Sequence, residues 1–223
     1  MEPQFSKGKI IGHIVTCILL FFAGDLLNSL VFDLLFSIVE LPIRGLYSIL
    51  RILGCSIFTY LLFWLYTTKV LRLKMENFRI TLSIKKWAFL YAIILPFFVV
   101  ICYLIIGDSI MTALNKEEII VAVIYSTIVA LKAGILEEML FRGYILKLLE
   151  LKWGKPIAVL LPSFLFSFMH IPSMNEFSVV GILLLVISGT LVGVMFSLIT
   201  YKGNSISNSS LLHAVWNFVF VTD

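Results

Sequence analysis

The chain reads as an all-α, polytopic transmembrane helix bundle of about seven spans, with its N-terminus in the cytoplasm. Three observations carry that reading. Hydrophobic residues make up 61% of the 223 positions and charged residues only 13%, whereas soluble domains run at about 45–50% apolar and about 25% charged. Mean hydropathy is +1.07. The apolar residues fall into separate runs, most of them long enough to cross a bilayer, which takes about 20 residues. Soluble globular, disordered, collagen-like and coiled-coil classes are excluded.

The spans are expected at Ile10–Phe36, Gly45–Tyr66, Trp87–Ile106, Ile119–Leu149, Ile157–His170, Val179–Tyr201 and Ile206–Val221. The first is too long for a signal-peptide core and has no small-residue cleavage site after it, so it is expected to stay as a span. The fifth and seventh are short, which implies tilt, longer true ends or burial inside the bundle. Lys69–Lys86 is the longest hydrophilic stretch and reads as a loop with room for a short surface helix. No repeat, low-complexity segment or soluble domain interrupts the chain, so residues 1–223 form a single membrane domain.

Charge sets the orientation. Lys7, Lys9, Lys69, Arg72, Lys74, Arg79, Lys85, Lys86, Lys147, Lys152, Lys155 and Lys202 fall on one side of this arrangement. Arg44 and Lys116 fall on the other, with the acids Glu40, Asp108, Glu117, Glu118, Glu176 and Asp223. Cytoplasmic loops collect Lys and Arg. The basic side is therefore cytoplasmic, and Trp64, Tyr66, Trp87, Trp153 and Tyr201 form an aromatic belt near it. No basic run carries interleaved aromatics, so nucleic acid is not an expected partner. Cys17, Cys55 and Cys102 all lie in apolar runs and read as buried hydrophobes.

The chemistry is expected where polar residues enter the apolar runs, because a mid-bilayer charge costs about 2.5–3.5 kcal/mol on insertion scales. Span four carries Lys132, Glu137, Glu138 and Arg142. Glu138 and Arg142 are four apart and share a helix face, so they can pair. Glu137 is turned about 100° away and is left as a candidate acid or base. Span five ends in Phe166-Ser-Phe-Met-His170, and span seven contains His213-Ala-Val-Trp-Asn217, with His and Asn on one face. A structural reading makes these a salt bridge and interhelical hydrogen bonds. The chemical reading is that Glu137 and His170 hold and deprotonate a water while His213 and Asn217 stabilise an oxyanion. Straight-span counting puts Glu137 nearer the cytoplasm than His170. Their meeting requires span four to tilt or start deeper, or span five to begin earlier.

Glu137-Glu138-x-x-x-Arg142 followed by Gly143, Phe166-x-x-x-His170 and His213-x-x-x-Asn217, in that order, resemble the motifs of the CPBP (CAAX protease and bacteriocin-processing) intramembrane endopeptidases. The resemblance covers roughly residues 117–221 as a catalytic core. It implies Glu137 as the base that activates water, His170 as its holder, His213 and Asn217 as stabilisers of the tetrahedral intermediate, and Glu138 with Arg142 as a supporting pair. Zinc is a possible cofactor, and Glu137, His170 and His213 would be its ligands. The resemblance also allows a metal-free, glutamate-activated water, and no obligatory cofactor is expected.

The expected function is thus an intramembrane endopeptidase acting on a peptide precursor or membrane-associated substrate. The composition, rich in Phe, Ile, Leu and Lys, suggests a bacterial cytoplasmic membrane and hence a small peptide rather than a prenylated protein. A non-catalytic immunity or regulatory protein is the alternative, and a transporter ranks last because no inverted repeat is visible. Elsewhere, Asp25 is expected to pair inside the bundle, Asp33 to sit near the outer interface, Arg51 to snorkel, and Lys132 has no evident partner. His13 reads as incidental. Pro96 and Pro162 are expected to kink their spans and Pro172 to end span five. Gly189 and Gly193 form a Gly-x-x-x-Gly pair that favours close packing, within the chain or in a homo-oligomer.

Overall fold

A computed structural model describes residues 5–38, 46–106 and 116–220. Among these the chain is helical and has no strand. The order is α1 (Lys7–Ile38), α2 (Leu46–Leu65), α3 (Lys86–Ile106), α4 (Lys116–Glu138), α5 (Leu146–Phe168), α6 (Val179–Gly203) and α7 (Ile206–Phe220). Among the described residues, four helical stretches are long and apolar enough to cross a membrane: Lys7–Ser37, Leu46–Val70, Val123–Ser173 and Val179–Gly203. Leu19, Leu34, Phe97 and Leu191 are each more than 60% exposed. An apolar outer surface of this kind suits lipid rather than water. The chain is an integral membrane protein. Arg44, Glu40, Asp108 and Asp223, used above to assign the outer loops, lie outside the described residues, as do the two span ends Gly45 and Val221.

The stretch Val123–Ser173 makes two passes. Helix α4 runs through a π-helical segment, Met139–Ile145, into α5 without a break. The chain then reverses at Gly154, whose φ of 74° and ψ of 176° interrupt the helical geometry. Only glycine adopts this conformation without strain, and Pro156 restarts the second arm, where a missing N–H costs nothing. Pro162 lies inside that arm. Pro172 follows it, in a 3₁₀ turn at Ile171–Ser173.

Small residues bring the helices close. A Cβ on Gly189 would lie 2.5 Å from Ser167 Oγ, and one on Gly193 would lie 2.7 Å from Ser163 Cβ. The Gly-x-x-x-Gly pair therefore serves α5–α6 packing within the chain. A Cβ on Gly134 would meet Ser210 O at 2.7 Å and Ala214 N at 2.9 Å. Hence α4 and α7 approach almost backbone to backbone. Helix α6 starts with the Ser178 hydroxyl accepting from Gly181 N at 3.0 Å and ends at Asn204, with φ 49°.

The segment between α2 and α3 folds under the basic end of the bundle. It holds a 3₁₀ turn, Met75–Phe78, then an extended stretch bonded to the start of α7. Ile206 N donates to Arg79 O, Ser205 Oγ and Ser207 Oγ to Thr81 O, and Asn208 Nδ2 to Ser83 O. Arg79 also pairs with Glu150 at 2.7 Å. Above this layer Tyr144 packs against Phe63 and Phe78 and bonds Thr67.

Several polar residues find partners the sequence did not name. Lys132 Nζ lies 3.9 Å from Asp25 Oδ1, so Asp25 has a partner, but its side chain is exposed rather than inside the bundle. Arg51 is exposed, and its guanidinium donates to Ser29 Oγ at 2.8 Å. Asp33 accepts from Tyr47. His13 is bonded to Tyr66 Oη at 2.7 Å. Cys17 and Cys55 are buried free thiols; the side chain of Cys102 lies outside the described ones.

Candidate active site

The depth problem raised by the sequence is solved by the reversal at Gly154. Seventeen positions lead from Glu137 to Gly154 and sixteen from Gly154 to His170. At a rise of about 1.5 Å per residue each arm covers about 25 Å. The chain therefore returns His170 to the level of Glu137. Span four runs further than drawn, through Trp153, and span five begins earlier.

The π-helical segment starts immediately after the two glutamates. Such bulges are rare and recur at functional sites. Its seven residues, Met139 to Ile145, are all buried.

Glu138 and Arg142 form a fully buried pair, with Arg142 Nη1 donating to Glu138 Oε1 at 2.7 Å. The guanidinium also donates from Nη2 to Gly193 O at 3.2 Å. It lies 4.5 Å from the Phe166 ring centre, 5.4 Å from Phe196 and 5.7 Å from Phe141. Aromatic faces and one carboxylate thus compensate a charge removed from water.

His213 extends this network. Its Nδ1 lies 3.0 Å from Glu138 Oε1. The same oxygen accepts from Arg142, so Nδ1 is assigned the proton and donates. Nε2 then faces Glu137 Oε2 at 3.9 Å. The ring is stacked on Phe196, centres 4.8 Å apart and planes at 22°, and sits edge-on to Phe166.

His170 approaches from the end of α5. Its Nδ1 lies 2.8 Å from Phe166 O. A carbonyl cannot donate, so Nδ1 again carries the proton and Nε2 presents a lone pair. Nε2 is 3.9 Å from Glu137 Oε2. Glu137 Oε2 is itself buried and has no direct hydrogen bond among the described residues. The two imidazoles thus converge on one carboxylate oxygen at equal distance. Both gaps are too long for direct hydrogen bonds and suit a group bonded to each side at about 2.8 Å. The His170 and Glu137 side chains keep 40% and 22% of their surface exposed, against 3% for His213, so access is from the His170 side.

Of the six residues singled out in the sequence, five meet here. Asn217 does not join them: it is half-buried, one turn beyond His213, and no hydrogen bond ties it to the site among the described residues. Sequence reading missed Phe196, Gly134 and the Gly193 carbonyl. Phe196 sits in an apolar run where nothing distinguishes it from its neighbours. Gly134 lies one turn before Glu138, which was a usable signal.

The donor set has the right chemistry for zinc, and each imidazole has the outer hydrogen bond such ligands use. The spacing is wider than needed: ligand atoms in a tetrahedral zinc shell lie about 3.4 Å apart. No group of three or more His, Cys, Asp or Glu among the described residues is placed to hold a metal ion. As arranged, the residues do not fit the metal.

Residues 118–219 match the model of the family described as Type II CAAX prenyl endopeptidase Rce1-like. The segment is similar to that family. The match covers all three motifs and bears out the resemblance to CPBP endopeptidases. It supports a peptide hydrolase acting at the membrane. No curated protein and no solved structure matches the chain. The matched segment, from α4 through the π-helical turn to α7, supplies every side chain of the site, whereas α1 to α3 lie outside the match.

Proposed function

We propose that the chain is an intramembrane endopeptidase in which Glu137 and His170 activate a water molecule. The observation that carries this reading is Glu137 Oε2, buried and without a direct bond, at 3.9 Å from two imidazole Nε2 atoms. A water in that space donates one O–H to Glu137 and the other to the His170 lone pair. Its oxygen attacks the scissile carbonyl carbon, and Glu137 takes the proton. Glu137 then passes that proton to the leaving amine nitrogen as the C–N bond breaks.

His213 serves the developing oxyanion. Its ring is held by Glu138 through Nδ1, which turns Nε2 toward the space where the oxyanion forms. Asn217 adds a second donor once substrate is bound. Glu138 and Arg142 orient His213 and do not touch the reacting atoms.

The reaction needs no obligatory metal. The N-terminus is cytoplasmic, on the basic side, and the membrane is a bacterial cytoplasmic membrane. The substrate is a small peptide precursor or membrane-associated peptide. Peptidomics of cells expressing either the native chain or the Glu137→Ala variant tests the reading. Peptides whose termini appear only with the native chain are expected. Identical peptidomes, with both proteins present at equal levels, would leave the non-catalytic immunity or regulatory role.

A further inference from the structure

Helix α7 has two working faces. One carries His213 toward Glu137. The other carries Leu212 and Trp216, which line a cavity of about 390 Å³ between α3, α6 and α7. Tyr91, Ile94 and Met195 form its outer wall, each at least 40% exposed. The groove therefore opens sideways, toward lipid, and its walls are apolar.

Its mouth is different. Lys202 lines the cavity at the basic end of α6, and its Nζ lies 4.7 Å from the centre of the Trp87 ring. No carboxylate lies within 4.0 Å of Lys202 among the described residues. Lys85 and Lys86, immediately before Trp87, are exposed and likewise have no such partner there. An indole and uncompensated ammonium groups above an apolar slot match an interfacial headgroup above an acyl chain.

We propose that this groove is a binding site for an anionic phospholipid, with an acyl chain between α3, α6 and α7 and the phosphate on Lys202. Charge complementarity selects the occupant. Lys202 at the mouth favours a headgroup of net negative charge over a zwitterionic one, and the exposed Lys85 and Lys86 add positive charge next to Trp87 in the chain. Because Leu212 and Trp216 flank His213, an occupied groove braces the helix that carries the oxyanion donor. The activity consequence rests on the proposed function; the binding site does not.

The test uses the full purified chain in a neutral detergent. Thermal unfolding is followed while phosphatidylglycerol, phosphatidylcholine of the same chains, or glycerol phosphate is titrated in. Phosphatidylglycerol at a hundred times its Kd is expected to raise Tm by about 5 °C, and the other two by less than about 1 °C. Lys202→Glu is expected to weaken phosphatidylglycerol at least tenfold, as is Met195→Trp, which fills the groove from an exposed position. An equal response to phosphatidylcholine, an unchanged response in both variants, or a full response to glycerol phosphate would each overturn the site. Peptide cleavage is measured separately. If lipid binds but nothing is cleaved, the proteolytic reading fails and the lipid site stands.

Discussion

Glu138 and His213 are 75 positions apart in the chain and joined by a 3.0 Å hydrogen bond in its most buried region. Glu138 Oε1 accepts from Arg142 as well. One carboxylate oxygen therefore sets the proton position on the imidazole and anchors the guanidinium. The second glutamate of the pair thereby acts through His213, while the first faces the open space between the two rings.

Replacing Glu137 with Gln keeps the shape and removes the proton acceptor. Cleavage by the purified protein is expected to fall at least 10³-fold, within the range general base catalysis supplies, with Tm unchanged within about 1 °C. Activity within tenfold of native would mean that another group activates the water.

The buried pair predicts a different outcome. Arg142→Met breaks the buried pair and leaves Glu138 with only its His213 bond, which costs about 3–5 kcal/mol and should lower Tm sharply or abolish accumulation in the membrane. Adding Glu138→Leu removes the stranded charge. The double variant is expected to recover most of the lost stability and none of the activity, because His213 has lost its acceptor. A double variant no more stable than Arg142→Met would show that the pair is not what fails.

Gly134 tests the approach of α4 to α7. A valine there places atoms against Ser210 O and Ala214 N, which would lie 2.7 and 2.9 Å from the first added carbon. Overpacking of this kind costs about 1–3 kcal/mol. Cleavage should fall more than the loss of folded protein explains, since the helices that carry Glu137 and His213 are pushed apart. Measuring kcat per folded molecule separates the two effects.

Metal dependence has a direct readout. After exhaustive chelation the protein is expected to keep its peptidase activity and to contain less than about one tenth of a metal ion per chain. Loss of activity with chelator and its return with zinc would overturn the metal-free mechanism and make Glu137, His170 and His213 ligands.

Composition and spacing alone were enough for the membrane class, the run of apolar helices and the three motifs, because each depends on the chain's local chemistry. Glu138 and Arg142 pair since four residues make one helical turn, and no other part of the molecule is needed for that. Where His170 lies relative to Glu137 was not legible. It follows from the reversal at Gly154, since the same length of helix leads out and back, and a span drawn from hydropathy cannot show where a buried hairpin turns. The partners of Lys132 and Arg51, the ring of Phe196 on His213 and the contact at Gly134 were likewise decided only by tertiary structure. Each joins helices far apart in the chain, through distances that local pattern does not encode.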